Sequence, residues 1–160
     1  MAQKSAVAGP GHIDESANVK LVRNFFADWS KRDARILAKY MADDFAYQMI
    51  EGEPDIIGPE MFIKTLGDVL PGFVSINMEI RRIVGYGHIV MIDRYDRMTG
   101  IDEAHSMNFE VVGLVKVHEG KLSVLRDFPI PGGVFDLGSA WLEGSDADNQ
   151  RLETIDNFKD

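Results

Sequence analysis

The second half of this chain has the pattern of four long strands with no helix between them, and this run limits the possible folds more than any other feature. Apolar and polar residues alternate, with interruptions, over residues 74–84, 88–98, 104–118 and 121–128. Turn residues separate these segments, at Gly85-Tyr86-Gly87, Thr99-Gly100 and Glu119-Gly120. Strands that follow one another through short turns pair antiparallel, so the sequence predicts an α+β protein.

The first part of the chain carries the helices that are expected to cover this sheet. Patterns typical of a first helix, a short second helix, a strand and a third helix begin in turn near Asp14 or Ser16, Asp33, residue 44 and Gly58. Pro71-Gly72 ends the third helix. We therefore predict a curved, mostly antiparallel sheet packed against three main helices, which together form a cone around a deep apolar pocket.

The length of 160 residues favours one main domain. We predict a flexible N-terminal tail over residues 1–13 and the cone domain over 14–142, with a short helical piece near 134–142. The acidic C-terminal tail over 143–160 has the composition of a solvated or docking extension.

Composition excludes several classes of function. The net charge of -9 argues against nucleic acid and anionic membranes as partners, because both require clustered lysine and arginine. The chain has no cysteine, so disulfides and thiolate chemistry are excluded. No segment approaches the length of a membrane span and no signal-peptide pattern is present, so the cytoplasm is the expected location.

Ionised side chains interrupt two of the predicted strands. Arg94 and Asp96 share the apolar face of their strand, and Asp127 lies on an apolar face near the end of the last one. Burying a charge costs free energy unless it is paired, so these groups indicate either a mutually dependent buried cluster or surface salt bridges at strand ends. In a buried cluster, the surroundings can make one acid a proton donor and the other an acceptor. Asp93 and Arg97, on the opposite face, are expected to form a solvated pair.

Other candidate groups give weaker signals. Tyr47 lies on the face of its predicted strand with Phe45 and Met49, where a tyrosine is either core or a polar group in a pocket. Seven of the eight methionines suit an adaptable pocket or ordinary core filling equally well: Met41, Met49, Met61, Met78, Met91, Met98 and Met107. The scattered histidines lack metal-ligand spacing and no phosphate-binding loop is present, so no metal or cofactor is expected.

The elements Tyr47-Gln48, Arg94-Tyr95-Asp96 and Arg126-Asp127, in this order and spacing, resemble the limonene-1,2-epoxide hydrolase family. The likeness runs from about Val19 to Asp136. It implies the curved-sheet cone of the wider nuclear transport factor 2-like, or SnoaL-like, superfamily. That fold also hosts ketosteroid isomerases, polyketide cyclases and non-catalytic proteins, so the fold alone does not define an activity.

The resemblance also implies a role for each polar residue. Asp96 matches the acid that protonates the epoxide oxygen, and Asp127 matches the base that takes a proton from the attacking water. Arg94 matches the arginine between the two acids, and Tyr47 matches a tyrosine that positions the water. The family usually has an asparagine two residues after that tyrosine, where this chain has Met49.

These roles predict cofactor-independent hydrolysis of a small lipophilic epoxide to a vicinal diol. We expect the substrate to contact Met49, Met98, Leu125 and Phe128. Two alternatives remain open: a polyketide-cyclase-like or ketosteroid-isomerase-like enzyme on the same fold, and a non-catalytic module that binds apolar ligands. A homodimer is also expected, because an open sheet of long strands leaves apolar area on its outer face, such as part of 107–117.

Overall fold

The computed structural model describes residues 16–130, which form a mixed α+β fold, as predicted. Its elements are α1 (Ala17–Asp28), α2 (Ala34–Ala38), β1 (Met41–Gln48), β2 (Ile56–Ile57), α3 (Gly58–Leu66), β3 (Ser75–Tyr86), β4 (Ile89–Thr99), β5 (Met107–His118) and β6 (Lys121–Pro129). The strands form one curved sheet of six strands. The predicted tails over 1–13 and 143–160, and the helical piece near 134–142, lie outside the described residues.

The first helix begins where a side chain caps it and buries one apolar stripe. Of the two predicted caps, Asp14 lies outside the described residues, and the Ser16 Oγ accepts a hydrogen bond from the Val19 N–H at 3.3 Å. The recurrence of apolar residues at helical spacing places Val22, Phe25 and Phe26 on the side of α1 that is fully buried. This stripe covers the sheet face on which the polar cluster lies.

The strand order β2-β1-β6-β5-β4-β3 places β6 between β1 and β5. Neighbouring strands are antiparallel except β1 and β6, which pair parallel. The register aligns Ile92 of β4, Gly113 of β5 and Asp127 of β6 side by side. Three consecutive strands therefore carry the central part of the site across the sheet.

Several element boundaries differ from the prediction for local reasons. The first strand begins at Met41 rather than near residue 44, because Met41 pairs with Leu122 on the neighbouring strand. The two-residue strand β2 is too short to leave a pattern and was not predicted. The third long strand begins at residue 107 rather than 104, because the Asp102 side chain accepts from the His105 N–H at 3.0 Å and holds a short 3-10 turn there.

The core lies between the helices and the inner face of the sheet. Its fully buried side chains include Phe25, Phe45, Phe62, Leu37, Leu122 and Leu125. Within residues 16–130, no helix has the length and apolar content that crossing a membrane would need.

The outer face of the sheet carries charged and apolar side chains together. Arg97 pairs with Glu79 at 2.6 Å, so the prediction of a pair with Asp93 was wrong. The reason is cross-strand geometry: β3 and β4 are neighbours, and their outer-face side chains lie within reach of each other. Phe128 lies on this outer face and is 43% exposed. Side chains alternate along β6, so Phe128 and Asp127 point to opposite faces of the sheet.

Candidate active site

Arg94 and Asp96 lie side by side on the inner face of β4, and Asp127 faces them from β6. All three are charged residues of at most 4% exposure. Their strand positions alternate with those of core residues, so the same pattern that buries Val90 and Ile92 also buries them. Isolated charges could not remain there, and the structure pairs each of them.

The Arg94 guanidinium joins the two carboxylates with separate edges. Its Nε donates to Oδ1 and Oδ2 of Asp96 at 2.9 and 3.0 Å. Its Nη1 and Nη2 donate to Oδ1 and Oδ2 of Asp127, both at 2.8 Å. The second contact is a bidentate pair, the strongest common arrangement of arginine with a carboxylate.

Tyr47 adds a neutral donor from β1. Its hydroxyl donates to Asp127 Oδ2 at 2.9 Å, and its side chain is 4% exposed. Burial and the charge of Asp127 raise the pKa of Tyr47 well above its usual value, while Arg94 opposes this effect. The hydroxyl therefore keeps its proton and acts as a hydrogen-bond donor to Asp127.

The two aspartates differ in their surroundings. Burial raises the pKa of Asp96, and the charge of Asp127 adds to this effect, although Arg94 opposes it. Asp127 accepts hydrogen bonds from both terminal nitrogens of Arg94 and from Tyr47. Burial alone would lower the pKa of Arg94, but the nearby acids raise it, so the guanidinium stays charged.

These polar groups lie in one apolar cavity of about 260 Å³. The side chains of Ile50, Val69 and Met107 line it and are at least 40% exposed, so they mark its opening. Its other apolar lining includes Trp29, Met49, Leu66, Leu70, Phe73, Met78, Met98, Phe109 and Val111. The cavity thus offers a proton donor and a proton acceptor to an apolar molecule.

The structure places only part of the predicted set at this cavity. Tyr47, Arg94, Asp96 and Asp127 line it together with Met49 and Met98. Leu125 and Phe128, which were expected to contact the substrate, do not line the cavity. Leu125 is completely buried in the apolar core, and Phe128 points to the outer face of the sheet.

The sequence did not identify several other residues as part of the cavity wall. Trp29 follows α1 at the helical spacing of the buried Phe25 and Phe26, which indicates core, and it also forms part of the cavity wall. Phe73 follows the third helix, where no periodic pattern marks its direction. Met78 and Met107 were among the methionines that suited either a pocket or the core, and both line the cavity.

No site for a metal ion was found among the carboxylate and imidazole groups of residues 16–130. Among the described residues that line the cavity, Arg94 is the one cation.

Comparison with known families places the chain among proteins of this fold. Residues 16–142 match the model of the limonene-1,2-epoxide hydrolase catalytic domain. A solved structure of an LEH-like epoxide hydrolase of M. tuberculosis is similar, with 22% identity and a TM-score of 0.64, covering 75% of this chain and 87% of that chain.

Other similar structures have different names. SalBIII, described as an epoxide hydrolase/cyclase-like enzyme in pyran ring formation in the polyether salinomycin, is 15% identical with a TM-score of 0.65, covering 75% of this chain and 95% of that chain. A putative SnoaL-like polyketide cyclase from Shewanella denitrificans is 17% identical with a TM-score of 0.66, covering 78% and 99%. At these identities the similarity shows the shared fold.

The raised pKa of Asp96 predicts how stability depends on pH. Above the ordinary value of 3.8, the unfolded chain releases the Asp96 proton while the folded chain retains it. The free energy of unfolding of the wild type should therefore fall as pH rises, until the folded pKa is passed. Asp96→Asn removes this effect, so the variant should gain stability relative to the wild type, by up to about 1.4 kcal/mol per pH unit.

Urea unfolding of both proteins across this pH range measures the difference. Asp93→Asn, the same chemical change on the outer face of β4, is the control. Loss of the Arg94 Nε contacts with the Asp96 carboxyl shifts the whole curve of unfolding free energy, so its slope against pH carries the test. A difference that stays flat or shrinks with rising pH would contradict a protonated Asp96.

Proposed function

Because the chain belongs to the limonene-1,2-epoxide hydrolase family, we propose that it hydrolyses a lipophilic epoxide to a vicinal diol without a cofactor. The observation that carries this proposal is the Arg94 bridge between two buried carboxyl groups whose surroundings differ. One of them is disposed to donate a proton and the other to accept one. Opening an epoxide by water requires both transfers.

The proposed reaction is a single displacement. The Asp96 carboxyl gives its proton to the epoxide oxygen as the carbon–oxygen bond breaks. A water oxygen forms the new bond to that carbon and gives one proton to Asp127. The diol then holds one oxygen from the epoxide and one from water, and a net proton transfer from Asp127 to Asp96 restores the enzyme. No covalent intermediate with the protein forms.

The hydrogen bonds at Asp127 suggest where the water binds. A carboxylate offers about four acceptor positions, and Oδ2 already accepts from both Arg94 and Tyr47. Oδ1 accepts only the Arg94 Nη1 bond among the contacts that the described residues make. We assign the water to the free position on Oδ1, where the lone pairs of the Tyr47 hydroxyl can accept its second proton.

The cavity lining supports a lipophilic substrate. Its walls are aromatic and aliphatic, with Met49 and Met98 among them, and methionines adapt their shape to irregular apolar ligands. We propose that Met49 and Met98 contact the substrate. An apolar environment also strengthens the electrostatic contacts on which both proton transfers depend.

The proposal predicts that a panel of lipophilic epoxides in ¹⁸O-labelled water yields labelled diols. Asp127→Asn should lower the rate by about 10²–10⁴-fold, because the amide keeps the shape but cannot take the proton. Mass analysis of the products detects the label. Asp93→Asn, which makes the same substitution outside the cavity, is the matched control.

Two results would contradict hydrolysis. Products without added water would favour the cyclase or isomerase. Ligand binding that yields no product and does not change in Asp127→Asn would favour the non-catalytic module.

A cyclase is the second candidate, and Met49 is the observation that favours it. Met49 lies at the cavity where the family usually has an amide, and a thioether holds water poorly. An internal hydroxyl of the substrate would then replace water as the nucleophile, with Asp127 taking its proton and Asp96 protonating the epoxide. The similar fold of an enzyme described as epoxide hydrolase/cyclase-like is compatible with this alternative.

A substrate that carries both an epoxide and an internal hydroxyl distinguishes the two nucleophiles. Met49→Asn should raise the ratio of diol to cyclic ether, because the amide holds a water where the wild type does not. Chromatography of both products measures this ratio. Met49→Leu keeps the wall apolar and should leave the ratio unchanged. An unchanged ratio in Met49→Asn would mean that Met49 does not select the nucleophile.

We also propose that two copies associate through the outer face of the sheet. Met91, Val112 and Phe128 are 54%, 39% and 43% exposed there, and pairing would remove this apolar area from water. Sedimentation equilibrium at micromolar concentration should give a dimer, and Val112→Asp should shift it toward monomer. A monomeric wild type would contradict the proposal.

The cytoplasmic location expected from the sequence stays a prediction.

A further inference from the structure

Arg94 reaches Asp127 across a strand that carries neither residue. β5 lies between β4 and β6, so the two backbones are about 10 Å apart, which is twice the usual strand spacing. In the register, Gly113 of β5 is the neighbour of both Ile92 and Asp127. Arg94 is two residues beyond Ile92 on the same face, so its side chain passes over β5 at Gly113.

The inner face of β5 is bare at this crossing. A Cβ at position 113 would lie 3.0 Å from Arg94 Nη1, and 2.7 and 2.9 Å from two side-chain carbons of Ile92. Contacts this short require a neighbour to move. Val111 and Val115, the adjacent inner-face residues of β5, are both buried, so Gly113 is a gap in a row of side chains.

An aromatic ring from α1 contacts the same guanidinium. The Phe26 ring centroid lies 4.6 Å from Arg94 Cζ, and Phe26 is 1% exposed. Its ring is held by an edge contact with Phe25, with centroids 5.0 Å apart. A buried cation over an aromatic face is attracted by the ring quadrupole.

We propose that Gly113 and Phe26 are positioning residues, which form a slot that holds the Arg94 guanidinium in the plane from which it reaches both aspartates. The inference rests on the proposed acid–base function for its effect on rate. A guanidinium is a rigid planar fork, so a turn of its plane breaks the bidentate contact with Asp127 or the Nε contact with Asp96.

Loosening the slot has a consequence that a general loss of packing would not produce. Asp96 faces Arg94 on its own strand, Asp127 from β6 and Tyr47 from β1, and Arg94 is the cation among them. If Arg94 turns away, Asp96 loses the positive charge that favours its ionised form. The negative charge of Asp127, which opposes ionisation, remains. Its titration should therefore move to higher pH.

The aromatic side of the slot can be tested with almost no change in shape. Increasing ring fluorination of the phenylalanine at position 26 weakens the negative ring face in steps. The carboxyl carbon of Asp96, followed by NMR in the full-length protein, should titrate at progressively higher pH, by up to about one pH unit. The same analogues at Phe25, whose ring packs against Phe26, Trp29 and Tyr40, are the matched control and should leave this titration in place.

The glycine side is tested by Gly113→Ala. The added methyl should displace Arg94 Nη1, raise the Asp96 titration, and lower kcat on a working epoxide about 10- to 100-fold with little change in KM. Gly72→Ala is the control, since a Cβ at Gly72 meets nothing within 4 Å. Thermal unfolding of both variants separates a local effect from a loss of fold.

An Asp96 titration that does not move with fluorination at position 26 or with Gly113→Ala would overturn the slot. Because NMR needs no turnover, that outcome differs from failure of the proposed function. If only the proposed hydrolysis fails, no epoxide gives a diol, yet the Asp96 titration still moves with fluorination at position 26 and with Gly113→Ala.

Discussion

The site depends on one buried cation shared by two acids. If Asp96 and Asp127 were both ionised, the group with Arg94 would carry a net negative charge in an apolar cavity, which desolvation opposes strongly. A proton on Asp96 makes the group neutral overall, in agreement with its raised pKa. The electrostatic balance that allows these three residues in the core therefore favours a proton on Asp96. Loss of Arg94 alone would leave an unpaired buried carboxylate, typically at a cost of about 3–5 kcal/mol.

The sheet gives this group its geometry. Asp96 is on β4, Asp127 on β6 and Tyr47 on β1, so three strands must keep their register for the distances to hold. A slip of one residue would send the acid of that strand to the outer face. The α1 helix completes the arrangement, because its apolar stripe supplies Phe26 above the guanidinium. Fold stability and site geometry are thus coupled through the same residues.

The sequence could predict the faces of the strands but not what lies above them. Alternation correctly placed Arg94 and Asp96 on the inner face, because period two follows directly from strand geometry. Leu125 shares the inner face with Asp127, yet Leu125 is fully buried in the core while Asp127 lines the cavity. That difference depends on tertiary packing above the sheet, which no local pattern encodes. The pairing of Arg97 with Glu79 was not predicted either, because a contact between neighbouring strands can be predicted only when their register is known.

In the proposed chemistry, the same residues would open an epoxide with either nucleophile, so the acids alone would not determine the product. Protonation by Asp96 is common to hydrolysis and ring closure, and Asp127 can take a proton from water or from an alcohol. The choice depends on which oxygen is held against the carbon, and thus on the wall beside Tyr47. A polar side chain at position 49 would give water a further hydrogen bond, whereas Met49 offers apolar contact to the body of a substrate. In the proposed reaction, Met49 would therefore make the folding of the substrate in the cavity, rather than the strength of the base, the factor that selects the nucleophile.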